Sequence, residues 1–163
     1  MFTQFCQPPP TPTLLHCLVL AACLFGASGT QAQTITNTGG LSFGSFVANT
    51  GGTIAVTSSG GRSKTGGLFL MSLQGGNSTA AQFTVSGTAM ATYAITLPAD
   101  GTVLLSSGSH SMTVNGFTSS PNGSGTLSGG GTQVLSVGAR LTVGNAQAPG
   151  SYASSFTVTL NYN

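Results

Sequence analysis

The stretch Tyr93-Ala94-Ile95-Thr96-Leu97, followed at once by Pro98-Ala99-Asp100-Gly101, decides the fold. Tyr93, Ile95 and Leu97 are large and apolar, Ala94 and Thr96 small, and a period of two places the large side chains on one face of a pleated strand. Pro98 fixes its own φ and Asp100-Gly101 is turn chemistry, so the strand has a hard stop. The same alternation recurs at Phe83-Thr84-Val85, Met112-Thr113-Val114 and Phe156-Thr157-Val158-Thr159-Leu160. Between these runs stand Gly51-Gly52, Gly60-Gly61, Gly66-Gly67, Gly75-Gly76-Asn77, Pro121-Asn122-Gly123 and Gly129-Gly130-Gly131, read as turns. Twenty-three of the 25 glycines follow Gly29. At about 1 kcal/mol each relative to Ala, that density is incompatible with helices.

The expectation is therefore an all-β protein with strands near 41–47, 53–57, 67–73, 81–86, 92–97, 102–106, 109–117, 132–137, 139–143 and 152–162. Short strands with turns every eight to twelve residues predict an antiparallel two-sheet sandwich. A small outer-membrane barrel would need strands of about 9–11 residues and aromatic girdles; most runs here are shorter and the aromatics do not pair at strand ends. One domain over 33–163 is large enough to bury a core without disulfides.

Only four of the 163 residues are charged, namely Arg62, Lys64, Asp100 and Arg140, and there is no Glu or Trp. Soluble domains average about 25% charged residues, so the surface is read as polar but uncharged. A net charge of +2 is too small for nucleic-acid binding, which rests on many Lys and Arg contacts to phosphate. Arg62 and Lys64 are read as a small basic spot in a Gly/Ser-rich loop.

The start of the chain differs from the rest. Residues 14–25 (LLHCLVLAACLF) form an apolar run of signal-peptide length, and Thr30-Gln31-Ala32 fits the small-x-small cleavage pattern. The expectation is a signal peptide over 1–32 and export to the periplasm, cell surface or medium, with no transmembrane span in the mature chain, the run being short of the ~20 residues a span needs. No Lys or Arg precedes the apolar run, a departure from the usual positive start. Leu20-Ala21-Ala22-Cys23 gives a second reading, a lipidated Cys23. Cys6, Cys17 and Cys23 all precede the cleavage site, so the mature chain has no disulfide, thiol nucleophile or thiolate metal site.

The chemistry-bearing side chains after residue 32 are one carboxylate, Asp100, and one imidazole, His110. Asp100 reads as a turn former and His110 as a solvated residue opening a strand. A Ser-His-Asp triad needs both together, and no G-x-S-x-G elbow is present. Zinc and calcium need sets of ligands this inventory lacks. Gly123-Ser124-Gly125 is not followed by the Lys of a phosphate loop. The expectation is a protein that is not an enzyme and takes no cofactor or metal.

The most informative segment is 149–163. Tyr152, Phe156, Val158, Leu160 and Tyr162 share one face of an extended chain, interrupted by Ser154. Together with Leu41-Ser42-Phe43-Gly44-Ser45-Phe46, with 81–87 (AQFTVSG) and with 137–143 (VGARLTV), this segment resembles an uncharacterised bacterial secreted family, a domain of unknown function similar to spore coat protein U and chaperone–usher fimbrial subunits. The resemblance covers residues 35–163. It implies an immunoglobulin-like, pilin-like sandwich lacking one strand, a periplasmic chaperone and like subunits as partners, and assembly by β-strand complementation. Gly150, fourteenth from the end, and the penultimate Tyr162 match the pilin pattern, so the resemblance makes Gly150, Tyr152, Phe156, Val158, Leu160 and Tyr162 the assembly or chaperone-binding strand. An edge strand with an alternating apolar face is itself a template for strand addition. The segment 33–40 carries only Ile35 as a large apolar side chain and is a poor donor strand. The alternative is a stand-alone secreted binding module with a complete sandwich, recognising carbohydrate or protein through its loops.

Overall fold

The computed structural model describes residues 32–71 and 77–163. The expected signal segment, the lipidation reading of Cys23, the end of the expected strand 67–73 and the Gly75-Gly76 turn lie outside the described residues. Within them the chain is all-β and antiparallel throughout: β1 (Thr34–Gly39), β2 (Phe46–Val56), β3 (Arg62–Leu70), β4 (Ala81–Ser86), β5 (Thr92–Thr96), β6 (Val103–Ser107), β7 (His110–Ser120), β8 (Ser124–Thr126), β9 (Thr132–Val143) and β10 (Thr159–Tyr162).

Strand β9 organises the sandwich. β7 runs along one edge of it, pairing from Ser120↔Ser136 to Thr113↔Thr142. β4 pairs with its first half, Ser86↔Thr132 to Ala81↔Val137, and β2 with its second half, Val56↔Ala139 to Gly52↔Val143. Because β7 already occupies one edge across both halves, β4 and β2 must abut end to end along the other. β1 extends the sheet beyond β4, β3 beyond β2 and β6 beyond β7. The opposing layer is smaller, three strands in the order β10-β5-β8.

Alternation puts Leu135, Val137, Ala139, Leu141 and Val143 of β9 on the inner face. The first two join Phe83, Val85, Tyr93, Leu127 and Val158 in one apolar cluster. The other three join Ile54, Val56, Leu68, Met112 and Val114 in a second. Phe117, Phe156 and Leu41 pack against both. The sandwich thus has two cores strung on one strand, linked by a few aromatic and aliphatic side chains.

Several sequence expectations are corrected. The expected strands 132–137 and 139–143 are one strand, because Gly138 continues the ladder as the partner of Thr118. Gly51-Gly52 and Gly66-Gly67 are not turns between strands. They sit inside β2 and β3 at a bulge, where Gly51 and Gly66 have φ of 74° and 70° and their backbones approach too closely for side chains. Arg62 and Lys64 therefore stand on β3, not in a loop. Arg62 Nη2 donates to the Ser45 carbonyl at 2.8 Å. The expected turn Pro121-Asn122-Gly123 leads directly into β8, which takes in Ser124 and Gly125. The expected strand 41–47 is largely irregular: Ser42 makes one isolated bridge to Thr79, and β2 begins only at Phe46. The segment 33–40 instead contains β1, an exposed polar strand held by its pairing with β4. The expected strand 152–162 is shorter, its ladder confined to Thr159–Tyr162.

Candidate functional site

The shortening of the last strand builds the site. β10 pairs with β5 from Tyr162↔Tyr93 to Thr159↔Thr96. Beyond Thr96 the partner chain leaves the sheet: Pro98 has no N–H to give, and Asp100-Gly101 turns outward. That turn is fastened by two reciprocal bonds, Gly116 N–H to Asp100 Oδ1 at 2.6 Å and Gly101 N–H to Asn115 Oδ1 at 2.8 Å. Pairing resumes only at Ala153, which exchanges two 3.1 Å bonds with Ser106 at the end of β6. Residues 154–158 therefore cross from one sheet to the other and, among the described residues, belong to no strand ladder.

Their apolar face is as expected from the sequence. Val158 is buried, and Tyr152, Phe156, Leu160 and Tyr162 are half-buried against the cores. Phe156 lies between Phe117, with ring centroids 5.2 Å apart, and Phe83 at 6.3 Å edge-on. Tyr162 tilts against Tyr93 at 5.6 Å, and Tyr93 Oη donates to Gln133 Oε1 at 2.7 Å. Burial raises the pKa of both phenols, that of Tyr93 further through the charge of Tyr162. Tyr152 Oη donates to the Ala148 carbonyl and accepts from Gln147 Nε2, both at 2.8 Å. Gly150 is exposed; a Cβ there would stand 2.6 Å from Ser107 Oγ, a hydroxyl that can turn away, so this position does not demand glycine.

Along the free side of this segment runs an open groove. Its opposite wall is the chain between β1 and β2, which is tied to its neighbours at Ser42, bridged to Thr79, and at Ser45, whose carbonyl accepts from Met71 N–H at 3.0 Å and from Arg62 Nη2 at 2.8 Å. A cavity of about 700 Å³ lies between 41–48 and 147–154, with Leu105, Met112 and Leu141 in its floor. A second, of about 250 Å³, continues from it toward Asn37 and Phe156, floored by Val103, Val114 and Phe117. Both are lined by Leu41, Phe43, Leu105 and Ser154, so they adjoin along these four residues. The interruption in the apolar alternation is where a small side chain leaves the groove open between Tyr152 and Phe156. A third cavity of about 370 Å³ lies on the other side of the segment, against Leu97 and Pro98. None of the residues lining the three is charged. Sequence reasoning missed the Leu41–Phe46 wall, since apolar alternation there reads as an ordinary core strand.

Asp100 and His110 are not brought together. Asp100 is bound to Gly116 while His110 opens β7 opposite Ser107, and the stretch between them spans about 20 Å at ~3.3 Å per residue. Among the described residues no group of three or more His, Cys, Asp or Glu is placed to hold a metal ion. Asp100→Ala is expected to lower stability by about 1 kcal/mol through the lost charge-assisted bond. A urea titration against Asp100→Asn, which retains an acceptor and should recover part of the loss, checks this.

The sequence profile of a family described as "Domain of unknown function (DUF4402)" matches residues 34–162. The chain belongs to the DUF4402 family. The matched region runs from the first residue of β1 to the last of β10, so both walls of the groove lie within the DUF4402 domain. No curated protein and no solved structure matches the chain.

Proposed function

We propose that this DUF4402 protein is an exported structural or adhesive surface protein of the fimbrial- or coat-subunit kind, assembling by accepting a β-strand beside its C-terminal segment. The observation that carries this reading is the groove at 154–158. Among the described residues, the backbone of 154–158 belongs to no ladder and faces the chain 40–45 across a floor of core side chains, and no charged residue lines the space. An added strand would hydrogen-bond the free backbone and place alternate side chains on that floor, the general physics of strand addition. A periplasmic chaperone and like subunits are the partners this implies, and the apolar run 14–25 with Thr30-Gln31-Ala32 is the route to export. The reading assigns no catalysis to the chain and needs no cofactor.

Amide hydrogen exchange tests it. In the protein alone 154–158 is expected to exchange rapidly, as unpaired backbone does. An uncharged peptide with alternating apolar residues is expected to slow exchange there and along 40–45. No change with any such peptide would leave the stand-alone binding module as the better account.

A further inference from the structure

We infer that Asn122 is a self-modification site: its side-chain amide closes on the backbone nitrogen of Gly123, and hydrolysis of the ring leaves aspartate or isoaspartate in the turn before β8. This modification is independent of strand acceptance, and its absence would leave that reading untouched.

The chemistry needs an Asx-Gly pair, because glycine, without a Cβ, lets its nitrogen approach the preceding side-chain carbonyl freely. The glycine nitrogen gives up its proton and bonds to Cγ. The Cγ–Nδ2 bond breaks, and Nδ2 leaves as ammonia with that proton. Water then opens the cyclic imide, with no oxidant or reductant involved. Attack at Cγ yields aspartate; attack at the main-chain carbonyl carbon yields isoaspartate, whose backbone runs through Cβ and Cγ.

The chain has three Asx-Gly pairs, Asp100-Gly101, Asn115-Gly116 and Asn122-Gly123. The first two disable each other. Gly116 N–H, the nucleophile at Asn115, is donated to Asp100 Oδ1 at 2.6 Å, and Gly101 N–H, the nucleophile at Asp100, to Asn115 Oδ1 at 2.8 Å. Asn115 Nδ2 is also held, donating to Thr142 Oγ1 at 3.2 Å. Ring closure at either pair must break these bonds. Asn122 and Gly123 are both exposed. Among the described residues, neither the Asn122 side chain nor the Gly123 N–H has a hydrogen-bond partner. The space is open as well, since a Cβ at Gly123 would meet nothing within 4 Å.

The carbonyls of the same two residues are what hold β8 in place. Ile95 N–H donates to the Gly123 carbonyl and Ser124 N–H to that of Asn122, both at 2.8 Å. Isoaspartate turns the second carbonyl into a carboxylate and lengthens the backbone, so both bonds are lost and β8 loosens from β5. The new carboxylate joins Asp100, the one acidic side chain in the sequence.

The test ages protein purified from cells expressing the full chain in mildly alkaline buffer, which favours loss of the amide proton. Peptide mapping by mass spectrometry follows each asparagine, with a parallel sample in urea. In the folded protein Asn122 is expected to convert at least about tenfold faster than Asn115, whose bonds must first break. In urea the difference should shrink to a few-fold, because both pairs are then unbonded. Asp100→Ala, with circular dichroism unchanged, should speed conversion of Asn115. Ion exchange separates the aged form by its added negative charge, and hydrogen exchange on it should show lost protection at Ile95 and along β8, with β9 unchanged. Asn122→Gln, whose longer side chain closes far more slowly, should keep that protection. Equal rates at the two asparagines in the folded protein would overturn the inference, as would an Asn122 that converts only in urea. Conversion of Asn122 with Ile95 still protected would overturn the loosening of β8 alone.

Discussion

Gly138→Val is expected to abolish the folded state. Gly138 lies where β9 passes from its β4 half to its β2 half, and the end of β2 folds across it. A Cβ there would run into the Val56 carbonyl oxygen and stand within 2.5 Å of the Thr57 carbonyl carbon and 2.6 Å of Ser58 N. These are backbone atoms, held by the Val56↔Ala139 pairing, so they cannot step aside without opening the ladder that joins the two cores. The cost exceeds the few kcal/mol typical of a disruptive substitution and is comparable with the whole stability of a domain, about 5–15 kcal/mol. Loss of the cooperative unfolding transition and of the sheet signal in circular dichroism is the expected observation. Gly129→Ala, where a Cβ meets nothing within 4 Å, is the control and should fold normally.

Phe156→Ala is expected to destabilise the protein by about 3 kcal/mol, the lower end of the range for truncating a core phenylalanine, since the ring is only half-buried. Its effect is larger than its burial suggests for the site. Phe156 packs against both apolar clusters, edge-on to Phe83 and tilted against Phe117. It also lines both the 250 Å³ and the 370 Å³ cavities, so alanine would merge the spaces on either side of 154–158. Nothing would then anchor the crossing segment between Ala153 and Val158. Chemical denaturation measures the stability loss, and hydrogen exchange is expected to show faster opening of β10 than of β9. Phe69→Ala provides the comparison: Phe69 is 61% exposed beside Lys64, and its loss should stay within about 0.5 kcal/mol.

Strands whose two faces differ were legible in the sequence. β4 is found at its expected bounds because Ala81, Phe83 and Val85 alternate with Gln82, Thr84 and Ser86, and each set is buried or wet accordingly. β1 and β8 were not legible. TITNTG and SGT have no apolar face, and they are strands only because β4 and β5 offer them backbone partners. The glycine pairs misled for a related reason. A positive φ serves a turn and a bulge equally, and only the neighbouring strand decides which.

The C-terminal segment divides the same way. Its sequence by itself determined which side chains face the core, because an extended chain has a period of two whether or not another strand lies beside it. It also determined that the surface is uncharged, that few titratable groups are available, and that Ser154 breaks the apolar face. Only the tertiary structure decided that 154–158 has no ladder partner, since that depends on where the chain at 97–102 goes. Pro98 and the Asp100–Gly116 bond carry that chain away from the strand it would otherwise accompany. Alternation is a local property of the backbone, whereas pairing belongs to two segments distant in sequence, and the gap between them is where the groove opens.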